Sequence, residues 1–184
     1  MNIKPTLLAA AVAVAGGIMA FAPAALASDG TITFNGKVLS STCSVSNAVS
    51  GVVTVTLPDV QSSAFTGSGS VAGLTPFSLS LTGCPTTPSG VVVGATFAGN
   101  TNIDATTGAL KNSAGATYSN VEVQMTNSSG TAINLNTNPN PVSATISGTG
   151  TATLSYEAQY YQPSSTAITP GLVTTSATFT LTYN

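Results

Sequence analysis

Residues 171–183 read Gly171-Leu172-Val173-Thr174-Thr175-Ser176-Ala177-Thr178-Phe179-Thr180-Leu181-Thr182-Tyr183, and their polarity alternates almost without a break. Gly171, Val173, Thr175, Ala177, Phe179, Leu181 and Tyr183 share one face of an extended chain, while Leu172 and the intervening Thr and Ser residues share the other. Successive side chains of a strand point to opposite sides of its sheet, so this period of two marks a half-buried β-strand. The same alternation runs through Leu154, Tyr156, Ala158 and Tyr160. It recurs in Val121, Val123 and Met125, whose neighbours Glu122 and Gln124 are expected to face water. Candidate strands are 31–39, 42–46, 52–57, 77–82, 91–98, 121–126, 131–135, 143–146, 151–161 and 177–183. Turn-forming clusters divide them, among them Thr82-Gly83-Cys84-Pro85 and Asn127-Ser128-Ser129-Gly130. The Gly/Ser stretch 67–73 reads as a loop and not as a linker between domains. Short strands at this spacing predict an all-β chain of two packed antiparallel sheets with Greek-key connections.

Composition narrows the function before any motif does. The 184 residues are 42% hydrophobic but only 4% charged, with three Lys or Arg, five Asp or Glu and no His. Nucleic-acid binding needs clustered cations to displace counterions, and three lysines cannot form such a patch. General acid–base chemistry near neutral pH leans on His or paired carboxylates, and five scattered acids are a poor basis for it. No Gly-x-Ser-x-Gly elbow is present either, so a non-enzymatic role is expected. Disorder combines low hydrophobicity with high net charge, the reverse of this chain.

The N-terminus reads as a secretory signal peptide. Lys4 supplies a positive start, residues 7–21 form an uncharged apolar run, and Ala25-Leu26-Ala27 fits a small-x-small cleavage site. Gly16, Gly17 and Pro23 interrupt the run, which falls short of the roughly 20 residues of a membrane span. Cleavage after Ala27 leaves residues 28–184. Cys43 and Cys84 are the only cysteines, and export to an oxidising compartment makes a disulfide their default fate. Closing that loop destabilises the unfolded chain by roughly 4 kcal/mol on the chain-entropy model. A zinc site lacks further Cys or His ligands, so neither a metal nor a cofactor is expected.

Three separated signals converge on a family. Gly30-Thr31-Ile32-Thr33-Phe34-Asn35-Gly36-Lys37-Val38, followed by Thr42-Cys43-Ser44-Val45, resembles the N-terminal extension and first strand of type 1 fimbrial pilins of the chaperone-usher class. Cys84 falls where their second cysteine lies. Gly171 and the penultimate Tyr183 match the glycine and aromatic of that family's C-terminal β-zipper motif. The resemblance implies an incomplete immunoglobulin-like β-sandwich that lacks its final strand and carries an N-terminal donor-strand extension. Its implied divisions are a signal peptide at 1–27, the donor extension at 28–38 and the pilin domain at 39–184. Ile32, Phe34, Gly36 and Val38 would form the donated strand. Gly171, Val173, Ala177, Phe179, Leu181 and Tyr183 would line the groove that receives a strand from a periplasmic chaperone and then, through an outer-membrane usher, from the next subunit. The implied product is an extracellular fimbrium on the cell surface that supports adhesion, built of copies of this chain and other pilins. The rival reading is a secreted monomeric carbohydrate-binding module in which Tyr156, Tyr160 and Tyr161 stack on sugars. Asn127-Ser128-Ser129 also fits a glycosylation sequon, though a hairpin turn is the simpler role.

Overall fold

Period-two alternation becomes a ladder only where a second segment supplies the missing backbone partners, and the structure shows where that happens. The computed structural model describes residues 33–34, 36–97, 101–112, 119–137 and 142–184. Residues 1–32, which include the expected signal peptide at 1–27 and Ile32, lie outside the described residues. Two compact units are Met1–Gly36 and Lys37–Asn184. In the first, only Thr33, Phe34 and Gly36 are described.

The second unit is built from β1 (Ser44–Val45), β2 (Val71–Thr82), β3 (Val92–Thr96), β4 (Leu110–Lys111), β5 (Glu122–Asn127), β6 (Ser143–Thr145), β7 (Ala152–Tyr161) and β8 (Thr180–Tyr183). A single 3-10 turn, Ser62–Ala64, is the one helical element among the described residues. One sheet has the order β1-β2-β7-β5-β4 and the other β6-β3-β8. All pairings are antiparallel. This is the expected all-β sandwich, and among the described residues its smaller sheet ends at β8.

Alternation places the core. β7 buries Ala152, Leu154, Tyr156 and Ala158 and turns Thr153 and Ser155 outward, and its long ladder with β2 sets Leu79 opposite Leu154. Val93 and Ala95 of β3 and Val123 and Met125 of β5 join the same cluster. Each fully buried aliphatic or aromatic side chain contributes about 1.5–3 kcal/mol. The Tyr156 ring stacks on Phe77 at 5.4 Å and meets Phe97 edge-on at 5.8 Å, tying the larger sheet to the chain leaving β3. Its buried hydroxyl has no hydrogen-bond partner among the described residues, and burial pushes its pKa up to about 12. The Cys43–Cys84 disulfide, with S–S at 2.07 Å, closes the end of the β1–β2 pair.

Several elements depart from the sequence expectation. Residues 71–76 belong to β2 despite Gly73 and Pro76. Gly73 adopts φ +71°, where the ladder shifts between Ala72 and Thr75, and a Cβ there would meet the Tyr160 ring at 3.0 Å. β4 lies outside the candidate strands, because two residues are too few to show a period. Residues 131–135 return along β5 with one bridge, Thr126 to Ala132, and an Ile133 N bond to Met125 O at 2.8 Å, so no regular strand forms. Glu122 is buried and does not face water: Thr107 Oγ1 donates to its Oε2 at 2.6 Å from the loop that covers it. Residues 52–57, expected as a strand, have one bridge, Val49 to Val52, and no ladder. Just before them, Asn47 Nδ2 donates to Ser78 O at 2.8 Å and Asn47 Oδ1 accepts from Ser80 N at 3.0 Å. A side-chain amide there takes the backbone's place beside β2.

Candidate functional site: an open strand edge with an apolar seam

Two apolar segments flank the core without completing a sheet. In the first, Val53, Val55 and Leu57 are half-buried and pack on the core cluster, while Thr54, Thr56 and Pro58 are exposed. Among the described residues, no hydrogen bond reaches the backbone of residues 53–60. The second segment ends in β8, the edge strand of its sheet, paired to β3 on one side from Thr96↔Thr180 to Val93↔Tyr183.

The sequence-assigned groove residues fall on one row of this second segment. Val173, Ala177, Phe179, Leu181 and Tyr183 are all half-buried and pack against the core, with Phe179 6.0 Å from the Phe97 ring. Gly171 departs from the row and is exposed, beside a Leu172 that is also exposed. Upstream of β8 the chain is held largely by side chains. Asn112 Oδ1 accepts from Thr174 N at 2.7 Å and Asn112 Nδ2 donates to Leu172 O at 2.9 Å. Asn102 Nδ2 donates to Thr175 Oγ1 at 3.0 Å and to Ser176 O. At the C-terminal end, Cys43 N donates to Tyr183 Oη at 2.7 Å, and a cavity of about 230 Å³ opens between Lys37, Leu39, Val91, Tyr183 and Asn184.

The residues assigned to the donated strand are exposed wherever they are described: Phe34 is 90% and Val38 95% accessible. Beyond its two chain neighbours, nothing lies within 4 Å of a Cβ added at Gly36. Ile32 lies outside the described residues. Sequence reasoning missed residues 53–57 as a second flank, although their Val/Thr alternation carries the signal, and it missed the Asn102 and Asn112 clamps. Tyr156, 1% exposed, has no ring face to offer a sugar, which removes the central residue of the carbohydrate-binding reading. Among the described residues, no three His, Cys, Asp or Glu side chains gather where they could hold a metal ion.

Comparison with known proteins gives a class to this sandwich of two antiparallel sheets, one of which ends on an apolar edge among the described residues. The chain resembles one chain in the structure of a chaperone-usher pilus with a TM-score of 0.54 at 22% identity, covering 89% of this chain and all of that one. The model of the family described as "Fimbrial protein" matches residues 32–184. The F17 fimbrial protein of Escherichia coli is 42% identical across 91% of this chain and 95% of its own length. The major fimbrial subunit SMF-1 of Stenotrophomonas maltophilia is 38% identical across 91% of this chain and its own full length. The chain belongs to the fimbrial protein family.

Proposed function

We propose that this chain is a major structural subunit of an adhesive chaperone-usher fimbria and polymerises by donor-strand exchange. The observation that carries the reading is the β8 edge, where a row of half-buried apolar side chains lines a sheet that has no further strand among the described residues. An extended strand laid along it supplies backbone partners and covers the row, which is β-strand addition, a mode for which pilin complementation is a standing example. The donated strand is residues 28–38 of the next subunit, following a signal peptide at 1–27 and preceding a pilin domain at 39–184. Residues 31–38 span about 26 Å at roughly 3.3 Å per residue, enough to border β8 and the segment before it. Burying Ile32, Phe34 and Val38 contributes about 5–8 kcal/mol before ordering costs. Gly36 admits close backbone approach. A periplasmic chaperone holds the edge first, an outer-membrane usher directs the exchange, and the product is an extracellular fibre of this and other pilins. Arm and edge are different surfaces, so the contact is heterologous and propagates open fibres.

Phe34→Asp and Gly36→Arg test this directly. Either variant should retain the chaperone complex while cells lose fibres by electron microscopy. Normal fibres from both would overturn the exchange.

A further inference from the structure

The end of the chain meets the root of its own arm at one hydrogen bond. Cys43 N donates to Tyr183 Oη at 2.7 Å across 140 residues of sequence. Both partners are held from elsewhere. Cys43 is bonded to Cys84, whose N–H donates to Gly150 O at 3.0 Å. Asn184, next to Tyr183, exchanges two backbone hydrogen bonds with Val92, at 3.0 and 2.9 Å. The β1–β2 ladder begins at Ser44↔Thr82, so the Cys43 N–H lies just beyond it and takes the phenol as its acceptor. Lys37 and Leu39, the residues that lead into the arm, line the same cavity as Tyr183.

We infer that Tyr183 is a positioning residue joining the receiving edge of a subunit to the root of the strand it donates. Its ring belongs to the half-buried row along β8, and its hydroxyl fixes the backbone at Cys43. The inference rests on the proposed strand exchange and adds a link within one subunit. A second copy's arm arriving along β8 immobilises the Tyr183 ring, and the immobilised phenol holds the Cys43 N–H more firmly. A subunit whose edge is filled therefore presents a better ordered arm root than one whose edge is empty.

The test is amide hydrogen exchange at Cys43 in the exported chain, with and without a synthetic peptide of residues 28–38. In the unaltered chain the bound peptide should slow Cys43 exchange several-fold. Tyr183→Phe keeps the ring and removes the acceptor. Its Cys43 amide should exchange about tenfold faster, the loss of one ordinary hydrogen bond, and should not respond to the peptide. Both chains are compared at saturating peptide, and the β2–β7 amides should keep their protection. Unchanged exchange at Cys43 in Tyr183→Phe, or an equal peptide response in both chains, overturns the inference alone. Loss of β2–β7 protection in the variant also overturns it, because the hydroxyl would then serve general stability. Failure of the unaltered chain to bind the peptide overturns the strand exchange and this inference with it.

Discussion

Residues 71–77 of β2 and the strand β8 both present an outer edge with no neighbouring strand among the described residues, yet their chemistry differs. The β2 stretch contains Pro76, which has no N–H to offer, and Gly73, whose positive φ accompanies a shift of register. Both devices discourage a foreign strand from pairing. Residues 171–184 contain no proline and no charged residue. An edge without such protection is a hazard in a monomer and an asset in a subunit that must be completed by another chain. The contrast separates an edge that carries a proline and a register shift from one that carries neither proline nor charge.

The contrast can be broken at either edge. The largest effect should come from deleting residues 179–184, which removes β8: chaperone capture and soluble periplasmic accumulation should be lost, and undiminished co-purification would contradict the role given to this edge. Cys43→Ser releases β1 from the end of β2 and lengthens the unprotected side. The disulfide spans 41 residues, so stability should fall by roughly 4 kcal/mol, read as a lower denaturant midpoint than that of the oxidised chain. Equal midpoints would show that the covalent link carries no stability. Pro76→Val restores one edge N–H on β2. Self-association at high concentration should rise by a shift worth about 1 kcal/mol, seen by sedimentation, while peptide binding at β8 stays unchanged. A monomer indistinguishable from the parent would mean that the register shift at Gly73 protects this edge unaided.

The smallest effect lies away from both edges. Burial pushes the Glu122 carboxyl above its ordinary value near 4.5, outweighing the Thr107 hydrogen bond, so the folded chain holds that proton more tightly than the unfolded chain. Its contribution to stability is full below the ordinary value and is lost as pH rises through the folded one. Glu122→Gln should therefore remove a downward slope of stability above pH 4.5. Asp104 acts in the opposite sense: the Thr106 and Thr107 N–H groups hold its carboxyl below the ordinary range, and that contribution is lost on acidification. Urea midpoints of the parent and Glu122→Gln across this range would decide it, and parallel profiles would count against the burial argument.

Much of this was legible in the residues. The alternation of Leu154, Tyr156 and Ala158 marks a core strand because both neighbours of β7 are long ladders, and the row from Val173 to Tyr183 is half-buried as its polarity suggests. What stayed hidden depends on contacts distant in sequence. Glu122 sits at an outward position of its strand and is nonetheless buried, with Thr107, 15 residues away in sequence, bonded to its carboxylate. Residues 53–57 have strand polarity, but polarity reports burial and not pairing, so their lack of a ladder could not be foreseen. In residues 71–76, glycine and proline masked a strand that long-range pairing with β7 imposes.

Asn47 has a consequence larger than its size. With its carboxamide occupying Ser78 and Ser80, the main chain is free to depart from β2 at that point without stranding polar groups there. The amide behaves like the end-stop of a zip fastener: pairing halts at a defined tooth, and the tape beyond it stays parted. A hydrophobic residue at 47 would leave the Ser80 N–H to recruit whatever backbone came next. The point at which the chain leaves β2 would then be set by chance pairing, and no longer by one carboxamide.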